Sequence, residues 1–218
     1  MIKWSFSGLK DYVNCPRQYY EVKVAKSVQK VVSQQMLYGT SVHEALENYV
    51  KDGTPLPKNY QQFAKYIDPL KDVPGQHYPE HEMALTEKRE PCDFSGPDYW
   101  VRGIVDLLIV DGNRALIVDY KTGRADYADP DQLKLMALMT YAHFPEVDQI
   151  KASLMFVAHD KILFEEYRRD KQEELWDVFA PKLKRLEVSY ENNFWPENPN
   201  FLCRKWCPVK ACRFNGER

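Results

Sequence analysis

Along the first fifty positions, apolar residues recur at the three- and four-residue spacing of helix faces. Leu9, Tyr12, Val13, Tyr19 and Tyr20 mark one face, and with Ser7 as N-cap they predict a helix from Ser7 to about Ala25. Val42, Ala45, Leu46, Tyr49 and Val50 fall at i, i+3, i+4, i+7 and i+8, which predicts a second helix from Gly39 to Val50. Residues 51–98 are rich in Pro, Gly and charge. They yield only a helix near Tyr60–Ile67 and a strand at Glu82–Lys88. The period then changes. Two apolar runs flank Asp111-Gly112-Asn113-Arg114, and Gly112 and Asn113 tolerate the positive φ of a two-residue hairpin turn. Asp129 followed by Pro130 opens a helix to about Phe144 that is apolar nearly all round (Leu133, Leu135, Met136, Ala137, Leu138, Met139), as for a helix buried against a sheet. Strands follow at Ile150–Ala158 and Ile162–Arg168, and Asp170 with Glu173 reads as a capping box for a charged helix to about Asn192. The order predicts an α/β fold with a mixed sheet, a Pro- and Cys-rich tail and no internal repeat.

The hairpin register carries chemistry. With Gly112 and Asn113 central, Asp111 faces Arg114, and counting back sets Asp106 opposite Asp119. Opposed carboxylates repel unless something positive lies between them. Lys121 follows on the same face. Two carboxylates and an ammonium within apolar strands read as a metal-dependent hydrolytic site. A solvent-facing row is the alternative; it explains Lys121 easily and the opposed acids poorly. It also leaves Ile104, Val105, Leu107, Leu108, Ile117 and Val118 apolar on both faces without a reason. His43, at the edge of its helix stripe beside Leu46 and Glu47, joins the set because imidazole with two carboxylates suits Mn²⁺ or Mg²⁺. Glu82 reaches the same site or is a surface strand residue.

Composition narrows the class. A chain of 218 residues with 44% apolar and 13% aromatic content can build a core and is not disordered. No apolar run is long enough to cross a bilayer, and Met1-Ile2-Lys3-Trp4-Ser5 lacks the apolar region of a signal peptide, so a soluble cytoplasmic protein is expected. The net charge of −2 hides an asymmetry. The first thirty residues carry Lys3, Lys10, Arg17, Lys23, Lys26 and Lys30 against Asp11 and Glu21, and the last eighteen carry Arg204, Lys205, Lys210, Arg213 and Arg218 against Glu217. Between them the stretch from Asp68 to Asp98 is acidic. Basic ends around an acidic middle suit a metal site flanked by surfaces for a polyanion; scattered solvated lysines are the plainer account. Cys203, Cys207 and Cys212 cluster in the basic tail, which in a cytosolic protein argues for metal rather than disulfides. Three thiolates need a fourth ligand, and no His follows them. Cys92, alone in its loop, is a bystander.

His43 within Gly39-Thr40-Ser41-Val42-His43-Glu44-Ala45-Leu46-Glu47, then Gly103-Ile104-Val105-Asp106, then Asp119-Tyr120-Lys121-Thr122-Gly123 resemble the PD-(D/E)xK nuclease superfamily. Ser5-Phe6-Ser7-Gly8-Leu9 and Cys15-Pro16-Arg17-Gln18-Tyr19-Tyr20 narrow the resemblance to its RecB-like exonuclease branch, which includes CRISPR-associated and phage members. The resemblance implies a single domain over 1–218 with a restriction-endonuclease-like core. Its mixed central sheet (80–168) is flanked by helices, with a helical N-terminal part (1–50, with His43) and a Cys-rich tail (200–218). It implies that His43, Asp106 and Asp119 bind Mg²⁺ or Mn²⁺ with the carbonyl of Tyr120. Lys121 then orients the attacking water or offsets charge on the phosphate. Gln132 matches the first position of the branch's Gln-x-x-x-Tyr motif, but the Tyr position is Met136 here, and Tyr141 is too far along to replace it. Cys15 becomes the fourth ligand of a 4Fe–4S cluster. The spacing of the other three cysteines, three then four intervening residues, departs from the two-then-five of CRISPR-associated members, which keeps zinc and free thiols in play. The activity implied is a DNA exonuclease acting on linear or single-stranded ends in recombination, repair or phage DNA processing. A structure- or sequence-specific endonuclease, a non-catalytic DNA-binding adaptor and RNA hydrolysis are the alternatives. With no Gly-x-x-x-x-Gly-Lys-Ser/Thr loop for a motor, the chain acts alone or with a helicase or recombinase partner.

Overall fold

A computed structural model describes residues 2–30 and 32–216; Met1, Glu217 and Arg218, which entered the leader and tail-charge expectations, lie outside the described residues. In chain order the elements are α1 (Phe6–Asn14), α2 (Pro16–Tyr19), α3 (Gln34–Lys51), α4 (Ala64–Lys71), β1 (Gln76–Leu85), β2 (Val101–Asp111), β3 (Arg114–Lys121), α5 (Asp131–His143), β4 (Gln149–Phe156), β5 (Lys161–Arg168), α6 (Gln172–Asp177) and α7 (Ala180–Glu191). They fall into two compact units, one of residues 34–176 and one of residues 2–33 with 177–218. None of the described helices is long and apolar enough to cross a membrane.

The first unit is a five-stranded sheet in the order β1-β2-β3-β4-β5. All its pairings are antiparallel except β3 with β4, which needs a crossover, and α5 supplies it. The hairpin register is the expected one: Asp111 pairs with Arg114 across Gly112, whose φ is 55°, and the ladder runs back to Leu107 opposite Val118. Side chains alternate between faces, so Leu107, Ile109, Val118 and Tyr120 point to one side, where they pack with Val42 and Leu46 of α3 and with Phe63 and Ile67. Ile117, Asp119 and Lys121 point to the other side, against α5. Both faces are covered, which accounts for the apolar character of the strands on each. Helix α5 is buried along most of its length, and a Cβ on Gly103 would come within 2.8 Å of Met139 Cε. Its last carbonyls have no partners within the helix, and Arg169 serves one of them together with the loop that follows. The guanidinium donates to Tyr141 O (3.0 Å), Phe144 O (2.8 Å) and Val147 O (2.8 Å), a fork that lysine does not possess.

Several boundaries differ from the expected ones, each for a local reason. The first helix starts after Ser5, whose Oγ accepts the Gly8 N–H at 3.2 Å, not after Ser7. It breaks at Cys15 (φ −163°, ψ 106°) because a residue before proline is disfavoured in the helical region. The second helix begins at Gln34 rather than Gly39; its extra turn carries Met36, Leu37 and Tyr38 side by side, an exposed run without helical spacing. Strand β1 starts at Gln76, six residues before the expected Glu82, and runs through Pro79. Helix α5 begins at Asp131, where the Asp129 carboxylate accepts the Asp131 N–H at 3.3 Å. The single helix expected from Asp170 to Asn192 is divided between α6 and α7, with Pro181 in the first turn of α7. Asp170 and Glu173 do not form a capping box there: Asp170 pairs with Arg168 at 3.2 Å and Glu173 with Arg89 at 2.8 Å.

The second unit brings α1 and α2 together with α7 and the tail. The Tyr12 hydroxyl donates to Arg185 O at 2.7 Å and lies 2.8 Å from Ser189 Oγ. Trp195 packs among Tyr12, Tyr19, Tyr20 and Tyr190. Asn198 and Asn200 both donate to Asn14 O at 3.0 Å, and the Arg17 N–H reaches Pro196 O at 3.1 Å, so the tail is laced to the α1–α2 junction.

Candidate active site

The antiparallel ladder between β2 and β3 ends one pair short of Asp106 and Asp119. In place of a backbone carbonyl, Asp106 Oδ2 accepts the Tyr120 N–H at 2.6 Å. The strands therefore part where the two carboxylates would otherwise be pressed together. Asp106 Oδ1 lies 3.3 Å from His43 Nδ1, brought in by α3, and the His43 ring packs edge-on to Tyr120 with centroids 6.3 Å apart.

Glu80, which sequence reasoning missed, completes this group. The β1–β2 register on either side (Pro79 with Leu107, His81 with Val105) sets Glu80 opposite Asp106. That pair is missing from the ladder because Glu80 has φ of 47°, in the left-handed region that non-glycine residues seldom occupy. His43, Glu80 and Asp106 each offer a ligand atom within 4.8 Å of the others. Gly39, Thr40, Glu44 and Glu47 line the open pocket beside His43 and Glu80. Glu82 lies on the same face two residues along, exposed and opposite Ile104, outside this trio. The sequence offered little signal for Glu80: Glu82 was read as the first residue of its strand, and Pro79 hid that the strand begins earlier.

Asp119 faces a second set of partners. It is 3% exposed; its Oδ2 meets Lys121 Nζ at 2.5 Å and its Oδ1 accepts from Gln132 Nε2 at 2.6 Å. Lys121 in turn donates to Gln132 Oε1 at 2.9 Å, which closes a triangle at the start of α5. Met136 and Tyr141, further along α5, are buried in the core. For Tyr120 the contact to the site is the backbone N–H, and its ring belongs to the core.

Charge is concentrated here beyond what the protein alone neutralises. Burial, then the neighbouring charges of Asp106 and Glu47, push Glu80 up to about 7, with His43 easing the shift. Burial and the Asp106 charge also raise Asp119, against the pull of Lys121 and His43. For His43, burial acts downward, but the Asp106 hydrogen bond and the charges of Asp106 and Asp119 hold it above its ordinary value. Carboxylates raised by one another mark a place that is more stable with a cation in it. One imidazole and hard carboxylate oxygens fit Mg²⁺ or Mn²⁺.

The sequence matches the family model of the PD-(D/E)XK nuclease superfamily over residues 3–91 and 73–212. The chain belongs to that superfamily of metal-dependent nucleases. Among solved structures it resembles SSO0001, at 17% identity and a TM-score of 0.50, covering 99% of this chain and 88% of that one. It also resembles a protein from Eubacterium rectale named as a candidate exonuclease, at 14% identity and a TM-score of 0.51, covering 98% and 88%. At such identities these neighbours show the fold, a restriction-endonuclease-like α/β core. A search against individual curated proteins finds no match.

In the second unit, Cys15, Cys203, Cys207 and Cys212 line one small cleft together with Val209 and Asn215. Cys15 and Cys207 are buried, and none of the cysteines is in a disulfide. The Cys207 thiol is held above its usual value, by burial first and also by Cys203 and Cys15. Cys92 belongs to the other unit.

Proposed function

We propose that this nuclease is a Mg²⁺- or Mn²⁺-dependent DNA exonuclease that hydrolyses phosphodiester bonds at DNA ends. The observation that carries the reading is the convergence of His43, Glu80 and Asp106 on one point beside the Asp119–Lys121–Gln132 triangle. His43, Glu80 and Asp106 hold the cation, with Asp119 and the Tyr120 carbonyl as further ligands. When bound, the cation lowers the pKa of a coordinated water and polarises the phosphate. Lys121, anchored by Asp119 and Gln132, presents a fixed ammonium to the phosphate oxygens, where transition-state charge develops. Gln132 keeps that ammonium in place. The name of the Eubacterium rectale neighbour supports action at ends rather than within the strand. The intact acid and lysine set speaks against a non-catalytic adaptor. DNA then reaches this chain in recombination, repair or phage DNA processing, alone or from a helicase or recombinase partner.

The test uses end-labelled linear and closed circular DNA with Mg²⁺, Mn²⁺ or EDTA. Degradation of the linear form alone, abolished by EDTA, is the expected result. Cutting of the circle would replace the reading with an endonuclease, and binding without cleavage under any metal would replace it with an adaptor.

The four cysteines hold an iron–sulfur cluster in this reading. Cys15, Cys203, Cys207 and Cys212 line one cleft, which supplies the four thiolates such a cluster needs. Protein purified without oxygen should be brown, with broad visible absorption that Cys207→Ser removes. A colourless protein with one bound zinc would overturn the cluster.

A further inference from the structure

The segment carrying three of the cysteines also exposes two large aromatic side chains: Phe201 is 66% and Trp206 52% exposed. Around them residues 201–215 place Arg204, Lys205, Lys210 and Arg213 and no acidic residue. Arg213 pairs with Glu197 at 3.8 Å. Arg204, Lys205 and Lys210 are exposed and have no acidic partner among the described residues.

The backbone beneath the two rings is tied at several points. Asn200 caps the short turn Phe201–Arg204. The N–H groups of Trp206 and Cys207 donate to Leu202 O at 2.9 and 3.0 Å. Gly216 N–H reaches Cys203 O at 2.9 Å, and Asn215 Nδ2 reaches Cys207 O at 3.0 Å. Cys207 and Val209 are buried roots, so Trp206 is held outward at the point where the chain leaves the surface. Hydrophobic burial does not account for these rings, and a protein-docking patch would be depleted of charge at its centre. Exposed rings on a hydrogen-bonded backbone, interleaved with cations that have no acidic partner among the described residues, instead match the two needs of an unpaired nucleic-acid strand: π faces for bases and cations for phosphates.

We propose that Trp206 and Phe201, with Arg204, Lys205 and Lys210, form a binding site for single-stranded DNA. Bases stack on the two rings, and phosphates lie against the three cations. The proposal rests on the reading of this chain as a DNA nuclease and adds a strand preference to it. Stacking tolerates every base, so the site has no sequence requirement.

The experiment measures binding by the full chain of a fluorescent oligothymidylate and of a blunt duplex by anisotropy, in EDTA and over a range of salt. Trp206→Ala should weaken single-strand binding about five-fold or more, the loss of one base–aromatic stack, and leave duplex binding unchanged. Trp206→Tyr should retain most of the affinity. Arg204→Ala with Lys205→Ala should flatten the slope of log affinity against log salt by about one to two. Single-strand affinity unaltered by Trp206→Ala would overturn the platform while leaving the nuclease reading intact. Equal loss on both DNAs with a lowered melting temperature would also overturn it, by making Trp206 merely structural. A parent protein that binds neither DNA would overturn the DNA reading itself.

Discussion

Asp119→Asn is expected to lose hydrolysis by on the order of 10³-fold or more, while the metal-free protein at pH 8 stays as stable as the parent or becomes more stable. The two effects share one cause. In the metal-free protein the carboxylate is buried, raised by burial and by Asp106, and only partly offset by Lys121. A carboxyl whose folded pKa lies above its unfolded value binds more protons when folded. Its contribution to stability therefore falls as pH rises from the unfolded value through the folded one. Asparagine removes that loss and can still accept from Gln132. Lys121, 31% exposed, hydrates once its partner is neutral, so no stranded buried charge remains. Activity fails because the ammonium loses its anchor and the site loses one of its negative charges. Nuclease assays beside thermal melts of both proteins decide it. Activity within ten-fold of the parent would remove Asp119 from the machinery, and a sharply lowered melting temperature would refute the electrostatic account.

Glu80→Gln is expected to weaken Mg²⁺ or Mn²⁺ binding at pH 8 by about 10- to 100-fold, at least the loss produced by removing an outer partner of a metal ligand. It should also change the pH dependence. Glu80 titrates near 7, so below that pH a cation must displace its proton, and affinity climbs with pH from the ordinary carboxylate range up to about 7. His43, itself raised, adds a second displaced proton that the variant keeps. The logarithm of affinity plotted against pH should therefore lose about one unit of slope below 7 in Glu80→Gln. Calorimetric metal titrations at a series of pH values read this directly; parallel curves for parent and variant would exclude Glu80 as a ligand.

What was legible in the sequence followed from short-range geometry. A two-residue turn fixes its own register, so Asp106, Asp119 and Lys121 could be placed from Gly112 and Asn113 alone. Gln132 lies eleven residues beyond Lys121 and came from the family motif. Glu80 was out of reach because fifteen residues (86–100) separate β1 from β2 and leave the register free; the left-handed turn after Pro79 then aims that one side chain. The helix boundaries went astray where proline overrides apolar periodicity, at Cys15–Pro16 and at Ala180–Pro181. The convergence of Cys15 with the tail cysteines depends on contacts between segments almost two hundred residues apart, which no local pattern encodes.

That distance has a consequence for biosynthesis. One compact unit is continuous, from residue 34 to residue 176, whereas the other joins residues 2–33 to residues 177–218. A ribosome emits the continuous unit whole and in order. Leu9, Tyr12 and Cys15 emerge long before α7, Trp195 and the tail cysteines they pack with; at roughly 5–20 residues per second the wait is on the order of 10–40 s. During that interval the early apolar face and its thiol are without their native cover. A nascent chain halted after β5 would already hold His43, Glu80, Asp106, Asp119, Lys121 and Gln132, yet neither α7 nor Trp195, which pack on its first helix.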